Sequence, residues 1–156
     1  MNDFPKTTTY KATTALACEI AFVNPDRFNE AVHAGFYPCA PKTTPGKARV
    51  FDVNDIIALR LYERFLDAGM KAESAGHKAC AIRQFLETHP EADQVYIVKP
   101  SMGSLIYVEE FDPKEQHVPW DGPHARDVLS VEVWNFHYLR GRIVHEIEQA
   151  AKVVGG

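Results

Sequence analysis

The segment Asn24-Pro25-Asp26 limits most strongly how this chain folds, because it ends one helix and starts another within three residues. Asn is a favoured N-cap, Pro suits the first helical position, and Asp complements the positive end of a helix. A short helix is predicted before it, over residues 15–21. A second helix is predicted after it, from Asp26 to Ala34, with Gly35 as its stop. Two short helices joined by about three residues are the minimum description of a helix-turn-helix.

A basic segment follows the helix pair. Residues 41–51 contain three basic side chains and no acid, with a turn signal at Pro45-Gly46 and a short strand predicted over residues 48–51. The net charge of the whole chain is −4, but residues 1–90 carry 11 Lys or Arg and 10 Asp or Glu, while residues 91–156 carry 6 and 11. An acidic second half keeps the chain soluble while a basic segment meets phosphates.

Two longer helices are predicted next. Asp52 is the expected N-cap of a helix from Val53 to Ala68, with Asp55 completing a capping box. A fourth helix, from about Lys71 to Glu87, carries apolar residues at alternating steps of three and four. Residues 12–88 are therefore predicted to form one helical unit.

Beyond residue 90 the apolar period changes from helical to alternating. Apolar runs at residues 95–98 and 105–108 flank a Gly-containing loop, and residues 129–134 alternate again. Asn135 is the expected N-cap of a last helix, about Phe136 to Val153. The predicted fold class is α+β, in which residues 93–154 form a three-stranded antiparallel sheet followed by a C-terminal helix.

Over residues 12–88 the order of these pieces resembles the MerR family of bacterial transcription regulators. Residues 24–26 and 35–38 resemble the family's Ser-Pro-Asp opening and Gly-Leu-Leu-x-Pro exit of the recognition helix. Residues 47–52 resemble its wing, which ends Gly-Tyr-Arg-x-Tyr, and residues 67–70 resemble its Leu-Gly-Phe between helices three and four. The resemblance implies a winged helix-turn-helix that binds double-stranded DNA in the bacterial cytoplasm, associated with the nucleoid.

The chain also departs from that family. Residues 29–31 read Asn-Glu-Ala where the family usually has Arg-Tyr-Tyr, and residues 47–48 read Lys-Ala where its wing has Gly-Tyr. A strand-rich segment stands in place of the family's long C-terminal coiled-coil helix. The operator type and the promoter-twisting activation of typical members are therefore not expected here.

The resemblance places helix 25–34 in the major groove, where Arg27 and Asn29 are the expected base readers. The wing, residues 42–51, is expected on the DNA backbone or in the minor groove through Lys42, Thr43, Thr44, Lys47 and Arg49. Arg49 occupies the position of the family's wing arginine, and its alternative role is an ion pair with Asp52 or Asp55. Tyr37 either donates to a phosphate or packs beneath the wing. Two further arginines, Arg60 and Arg64, are expected on a solvated face.

A single small DNA-binding domain makes few contacts with DNA, so such proteins usually dimerise and bind two half-sites. The last helix carries a stripe formed by Leu139, Ile143 and Ile147, which is the expected dimerisation element. The alternative is that this helix covers its own sheet. The predicted function is thus a sequence-specific transcriptional regulator that binds double-stranded DNA as a homodimer, with a small-molecule effector as a further candidate partner.

Three other functions are considered. A phage or plasmid accessory factor of the excisionase kind shares this fold, but the acidic second half argues against it. A ligand-sensing regulator would use the aromatic side chains of the second half, which otherwise fill a small sheet core. The aromatic side chains are Tyr96, Tyr107, Trp120, Trp134, Phe136 and Tyr138.

The third alternative function is that of an enzyme. Titratable residues cluster around His117, Asp121, His124 and Asp127, but no metal-ligand spacing, phosphate loop or nucleophile elbow is present. No enzymatic activity, metal or cofactor is therefore expected.

The cysteines and the hydropathy bear on the compartment. Cys18, Cys39 and Cys80 have no metal or redox spacing and are expected to be small buried thiols in a reducing compartment. No apolar run reaches the roughly 18 residues of a membrane span, and the N-terminus lacks the apolar stretch of a signal peptide. A cytoplasmic location without membrane contact is expected.

Overall fold

The computed structural model describes residues 10–119 and 125–155, without the side chains of residues 153–155. Within these ranges the fold is α+β, as the sequence predicts. The elements follow in the order β1 (Lys11–Thr13), α1 (Thr14–Ala21), α2 (Pro25–His33), β2 (Val50–Asp52), α3 (Val53–Asp67), α4 (Ala72–Thr88), β3 (Gln94–Pro100), β4 (Ile106–Val108), β5 (His117–Pro119), β6 (Ala125–Asn135) and α5 (Phe136–Gly155).

Local capping sets the start of each of the first two helices. The Thr13 side chain accepts a hydrogen bond at 3.2 Å from the backbone N–H three residues later, which fixes the start of α1. The Asn24 side chain accepts from the N–H groups of Asp26 and Arg27 at 2.9 and 3.1 Å, with Pro25 as the first residue of α2. Two of the orphan donors at the start of α2 are thereby satisfied. The predicted pair of short helices is present, joined by residues 22–24.

The strand predicted over residues 48–51 is observed as β2, and its partner is β1. The two strands are antiparallel, with Ala12 opposite Phe51. Residues 38–49, here called the basic loop, precede β2. Its tip is a turn in which the Lys47 N–H donates to the Thr44 carbonyl at 2.9 Å, and Gly46 supplies the positive φ of 77° that this turn requires.

The second sheet has four strands where three are predicted. Its order is β4-β3-β6-β5, and every neighbouring pair is antiparallel. The additional strand is β5, which pairs with β6 and lies in the chain between the second and third predicted strands. Three residues with a terminal proline carry no alternating pattern, which is why the sequence does not indicate this edge strand.

The C-terminal helix corrects the prediction of a dimerisation stripe. Asn135 caps α5 as expected, accepting from the Tyr138 N–H at 2.9 Å. Ile143 and Ile147 are only 3% and 8% exposed, and Leu139 packs against the same core. This stripe therefore lies within the chain, because α5 packs mainly against α3 and also contacts α1 and β3. The alternative, that α5 covers its own sheet, is shown only in part, because α5 contacts β3 but packs mainly against α3.

The core is continuous between the two predicted units. One cluster of buried side chains runs from β1 and α1 through α3 and α4 to β3 and α5. Phe65 of α3 meets Trp134 of β6 edge to face, with ring centroids 5.5 Å apart. Residues 12–88 and 93–154 therefore share one hydrophobic core.

The aromatic side chains of the second half do not gather around one cavity. Phe136 is fully buried, Tyr138 is exposed, and Trp134 packs on α3, while Trp120 lies outside the described residues. The open depressions near this sheet are lined instead by residues 113–116 with 128–131, and by a second set of mostly polar side chains at the start of β3 and α5.

Of the clustered titratable residues, Asp121 and His124 lie outside the described residues. Across the described ranges, no group of three or more His, Cys, Asp or Glu side chains is arranged to hold a metal ion. None of the helices described here is long and apolar enough to span a membrane.

Candidate nucleic-acid interface

Helix α2 presents a polar face to solvent. Phe28 is fully buried and Ala31 is 5% exposed, so these two residues fix which side of the helix faces the core. Arg27, Asn29 and Glu30 are exposed on the remaining surface. The two expected base readers are therefore on the solvent side of α2.

An aromatic cluster beneath α2 holds this orientation. The ring of Tyr37 lies 5.3 Å from Phe28 and 5.1 Å from Tyr62, both edge to face, and Phe28 lies 5.8 Å from Phe51 of β2. Such pairs add to the stabilisation that burial provides. The cluster thus fixes α2 against both β2 and α3.

Tyr37 is therefore not a phosphate contact. Its side chain is 3% exposed, and burial raises the pKa of its hydroxyl above the ordinary value. The prediction that it donates to DNA is wrong, because its hydroxyl has no access to a phosphate. The structure shows a packed tyrosine instead, with its ring against Phe28 and Tyr62.

The exit of α2 touches α4 through backbone atoms. Gly35 has a φ of 81°, and the Phe36 N–H donates to the Ala31 carbonyl at 2.8 Å, as in a glycine-terminated helix. A Cβ atom on Gly76 of α4 would lie 1.8 Å from the Phe36 carbonyl oxygen. Glycine at this position therefore allows α4 to approach the end of α2 closely.

A disulfide joins the start of the basic loop to the same helix. Cys39 and Cys80 are bonded, with their Cα atoms 5.4 Å apart and 41 residues between them in sequence. The expectation of three separate thiols is corrected for this pair, because folding brings two cysteines together whose spacing gave no sign of it. Cys18 is a free buried cysteine, and burial raises the pKa of its thiol to about 11.

The third contact of α4 is a group of ion pairs with the acids at the start of α3. The Arg83 guanidinium lies 2.7 Å from an Asp55 oxygen and 3.5 Å from an Asp52 oxygen, and its third partner is Glu87 at 3.2 Å. Asp52 and Asp55 also form the predicted capping box of α3. Burial raises the pKa of Asp55, and the hydrogen bond and charge from Arg83 oppose that rise.

Asp52 and Asp55 pair with Arg83, and Arg49 is paired with neither of them. The Arg49 guanidinium donates instead to the Pro41 carbonyl across the basic loop. No ion pair joins Arg49 to a carboxylate anywhere in the described ranges. The other expected contact residues of the loop are exposed. These are Lys42, Thr43, Thr44 and Lys47.

Gly76, Cys80 and Arg83 form what we call the α4 contact face. Their spacing of four and three places them on one side of the helix. In order, they meet the exit of α2, the start of the basic loop and the start of α3. The sequence analysis did not identify these residues. The one signal for Arg83 was the pair of carboxylates in the capping box, Asp52 and Asp55, which favour a nearby cation.

The arginines of α3 behave as expected. Arg60 pairs with Glu63 at 2.8 Å and Arg64 with Asp67 at 3.1 Å, each one helical turn apart on a solvated face. Arg60 also lies 4.9 Å from the ring of exposed Phe22, in cation–π geometry.

No protein-family model matches the chain, and a sequence comparison with curated proteins gives no match.

Proposed function

We propose that this chain is a sequence-specific regulator of transcription that binds double-stranded DNA in the bacterial cytoplasm through a MerR-like winged helix-turn-helix. The observation that carries the proposal is the α4 contact face. One side of a single helix holds both the polar helix α2 and the acid-free basic loop. Pre-organised elements bind more tightly because less conformational entropy is lost on association.

In this proposal α2 reads bases in the major groove. Arg27 and Asn29 are exposed next to the capped start of the helix, which is the end that helix-turn-helix readers direct at bases. Arg pairs bidentately with guanine and Asn with adenine, each contributing about 1–3 kcal/mol of discrimination. These two residues set the sequence preference.

The basic loop supplies affinity through phosphate contacts. Lys42 and Lys47 carry the exposed charge, and the Thr43 and Thr44 hydroxyls donate to phosphate oxygens. The acids after the loop pair with Arg83, which compensates part of their negative charge. The loop therefore fixes the register of α2 on the duplex.

Arg49 has two roles in this account. One N–H group holds the Pro41 carbonyl and so closes the base of the loop. A guanidinium carries five N–H donors, which leaves others for a phosphate. We expect Arg49→Lys, which keeps the charge but not the planar fork, to weaken duplex binding nearly as much as Arg49→Ala.

The proposal includes a homodimer, because α2 has nine residues and one such helix reads a single half-site. The copies do not meet through the α5 stripe, since Ile143 and Ile147 are buried within each chain. Sedimentation of the protein with and without duplex measures how many copies bind.

A binding-site selection from random duplexes tests the proposed function. The wild-type chain is expected to enrich a defined motif, and Arg27→Ala to enrich a motif changed at one or two positions while its affinity for unrelated duplex stays similar. Arg142→Ala is the matched control, because Arg142 is an exposed arginine on α5. Failure of the wild type to enrich any motif, or an unchanged motif for Arg27→Ala, contradicts the proposal.

A further inference from the structure

The Cys39–Cys80 disulfide lies where the basic loop leaves the folded core. Cys39 is two residues after buried Tyr37 and three before exposed Lys42, so the bond is at the boundary between fixed and solvated chain. Beyond it, residues 40–49 are held mainly by the turn at Thr44–Lys47 and by Arg49 on the Pro41 carbonyl. Among the described residues, the disulfide is the one side-chain cross-link between this loop and the rest of the fold.

The two cysteines of the pair are less buried than Cys18. Cys39 and Cys80 are partly exposed, whereas Cys18 is fully buried and has a raised thiol pKa. Thiol–disulfide exchange requires access and a thiolate, so the pair exchanges and Cys18 does not.

The partial exposure of the Cys39–Cys80 pair matters because of the compartment in which we propose that the chain acts. The inference rests on the proposed function, which places the chain beside DNA in a reducing cytoplasm. Disulfides that occur there are usually transient and sense redox state. We propose that the Cys39–Cys80 pair is a redox switch that fixes the basic loop when oxidised, releases it when reduced, and so sets the affinity of the chain for duplex DNA.

The oxidant is a low-molecular-weight disulfide such as oxidised glutathione. One cysteine thiolate attacks a sulfur of that disulfide, forms a mixed disulfide and expels the first glutathione thiolate. The second cysteine thiolate then attacks the protein sulfur and expels the remaining glutathione thiolate. Two protein thiols become one disulfide, one oxidised glutathione becomes two glutathione thiols, and the two thiol protons pass through solvent to the departing thiolates.

Release of the bond changes the loop more than the core. The exit of α2 remains in contact with Gly76, and Arg83 remains paired with Asp52 and Asp55, because neither contact involves sulfur. The basic loop, which lies between these two contacts, then gains conformational freedom. Binding of DNA must remove that freedom again. Reduction is therefore expected to weaken phosphate contacts without unfolding the chain.

Duplex titrations of the oxidised and reduced full chain test the switch. The oxidised protein is expected to bind a mixed-sequence duplex at low ionic strength about five- to tenfold more tightly, the scale of ordering a few loop side chains. Cys80→Ser and Cys39→Ser are expected to bind like the reduced wild type in both conditions. Cys18→Ser, the matched control, keeps the redox response. Equal affinity of the two wild-type forms overturns the switch, as does a redox response that persists in Cys80→Ser.

Trypsin cleavage separates failure of the switch from failure of the proposed function. Cleavage after Lys42 and Lys47 is expected to be faster in the reduced than in the oxidised wild type, and equally fast under both conditions in Cys80→Ser. Equal cleavage of both wild-type forms overturns the switch whatever the titration gives. Redox-dependent cleavage without duplex binding by either form supports control of the loop and overturns the proposed function.

Discussion

Helices α2 and α5 both carry an apolar stripe, but they leave different surfaces to solvent. In α2 the stripe is narrow, with Phe28 and Ala31 buried and Val32 half-buried, and the opposite side of the helix carries exposed polar residues. In α5 the stripe packs onto α3 within the same chain. The comparison shows that an apolar stripe indicates burial without indicating against what. The exposed polar side of α2, beside the basic loop, is the surface that we propose for binding.

The two halves of the chain also differ in how their parts are connected. The helical half is joined by a disulfide, the ion pairs of Arg83 and a backbone contact at Gly76. The sheet half is joined to it by apolar packing and, among the described residues, by the ion pair from Lys78 to Glu132 at 2.7 Å. The sheet half thus packs against the helical half. The candidate interface lies on the helical half.

The largest expected effect tests whether the two halves share one core. Phe136 is the first residue of α5 and is fully buried. The centroid of its ring lies 6.3 Å from that of Phe85 of α4. We expect Phe136→Ala to lower the free energy of unfolding by about 3–5 kcal/mol, as for other buried aromatic truncations. Denaturant unfolding followed separately by near-UV and far-UV signals should show one transition. Two separate transitions would show that the halves unfold independently.

Local signals were sufficient to predict the first half in outline. The caps at Asn24 and Asp52 and the stop at Gly35 act within a few residues, so the sequence indicates them directly. The contacts of the α4 contact face join residues 28 to 41 positions apart, and no local pattern reports such distances. For the same reason the pairing of β2 with β1 was not predicted.

The next effect concerns Arg83. Its side chain is 14% exposed and that of Asp55 is 13% exposed, so Arg83→Ala leaves a largely buried carboxylate without its cation. We expect a loss of about 2–3 kcal/mol at neutral pH, somewhat below the cost of breaking a fully buried pair. Arg142→Ala, which breaks an exposed pair with Glu146, should cost under about 1 kcal/mol.

The pH dependence of the Arg83→Ala loss identifies its cause. Without Arg83, the pKa of Asp55 rises further, because the hydrogen bond and the charge of Arg83 no longer oppose the effect of burial. A carboxyl with a raised folded-state pKa is stabilising when protonated, and this stability is lost as pH rises through that pKa. The deficit of Arg83→Ala should therefore be largest at neutral pH and shrink towards pH values below the ordinary Asp pKa. A deficit that is constant with pH would assign the effect to lost packing.

The smallest stability effect concerns the close approach at Gly76. Gly76→Ala forces the Phe36 carbonyl to move, and overpacking of this kind costs about 1–3 kcal/mol. The neighbouring substitution His77→Ala, at an exposed position on α4, should change stability by less than about 0.5 kcal/mol. Amide NMR shifts should change around residues 31–40 and not in the sheet half. Changes spread equally over both halves would contradict a contact confined to the exit of α2.

The salt dependence of duplex binding tests the central claim most directly. Each phosphate contact contributes about 0.9 to the slope of log affinity against log salt concentration. We expect the double variant Lys42→Gln with Lys47→Gln to bind more weakly and to lose about 2 from the magnitude of that slope for each bound chain. The control variant, Lys99→Gln with Lys114→Gln, removes two exposed lysines of the sheet half and should keep the wild-type slope. Absence of duplex binding at low ionic strength, or equal slopes for the two double variants, would contradict the account.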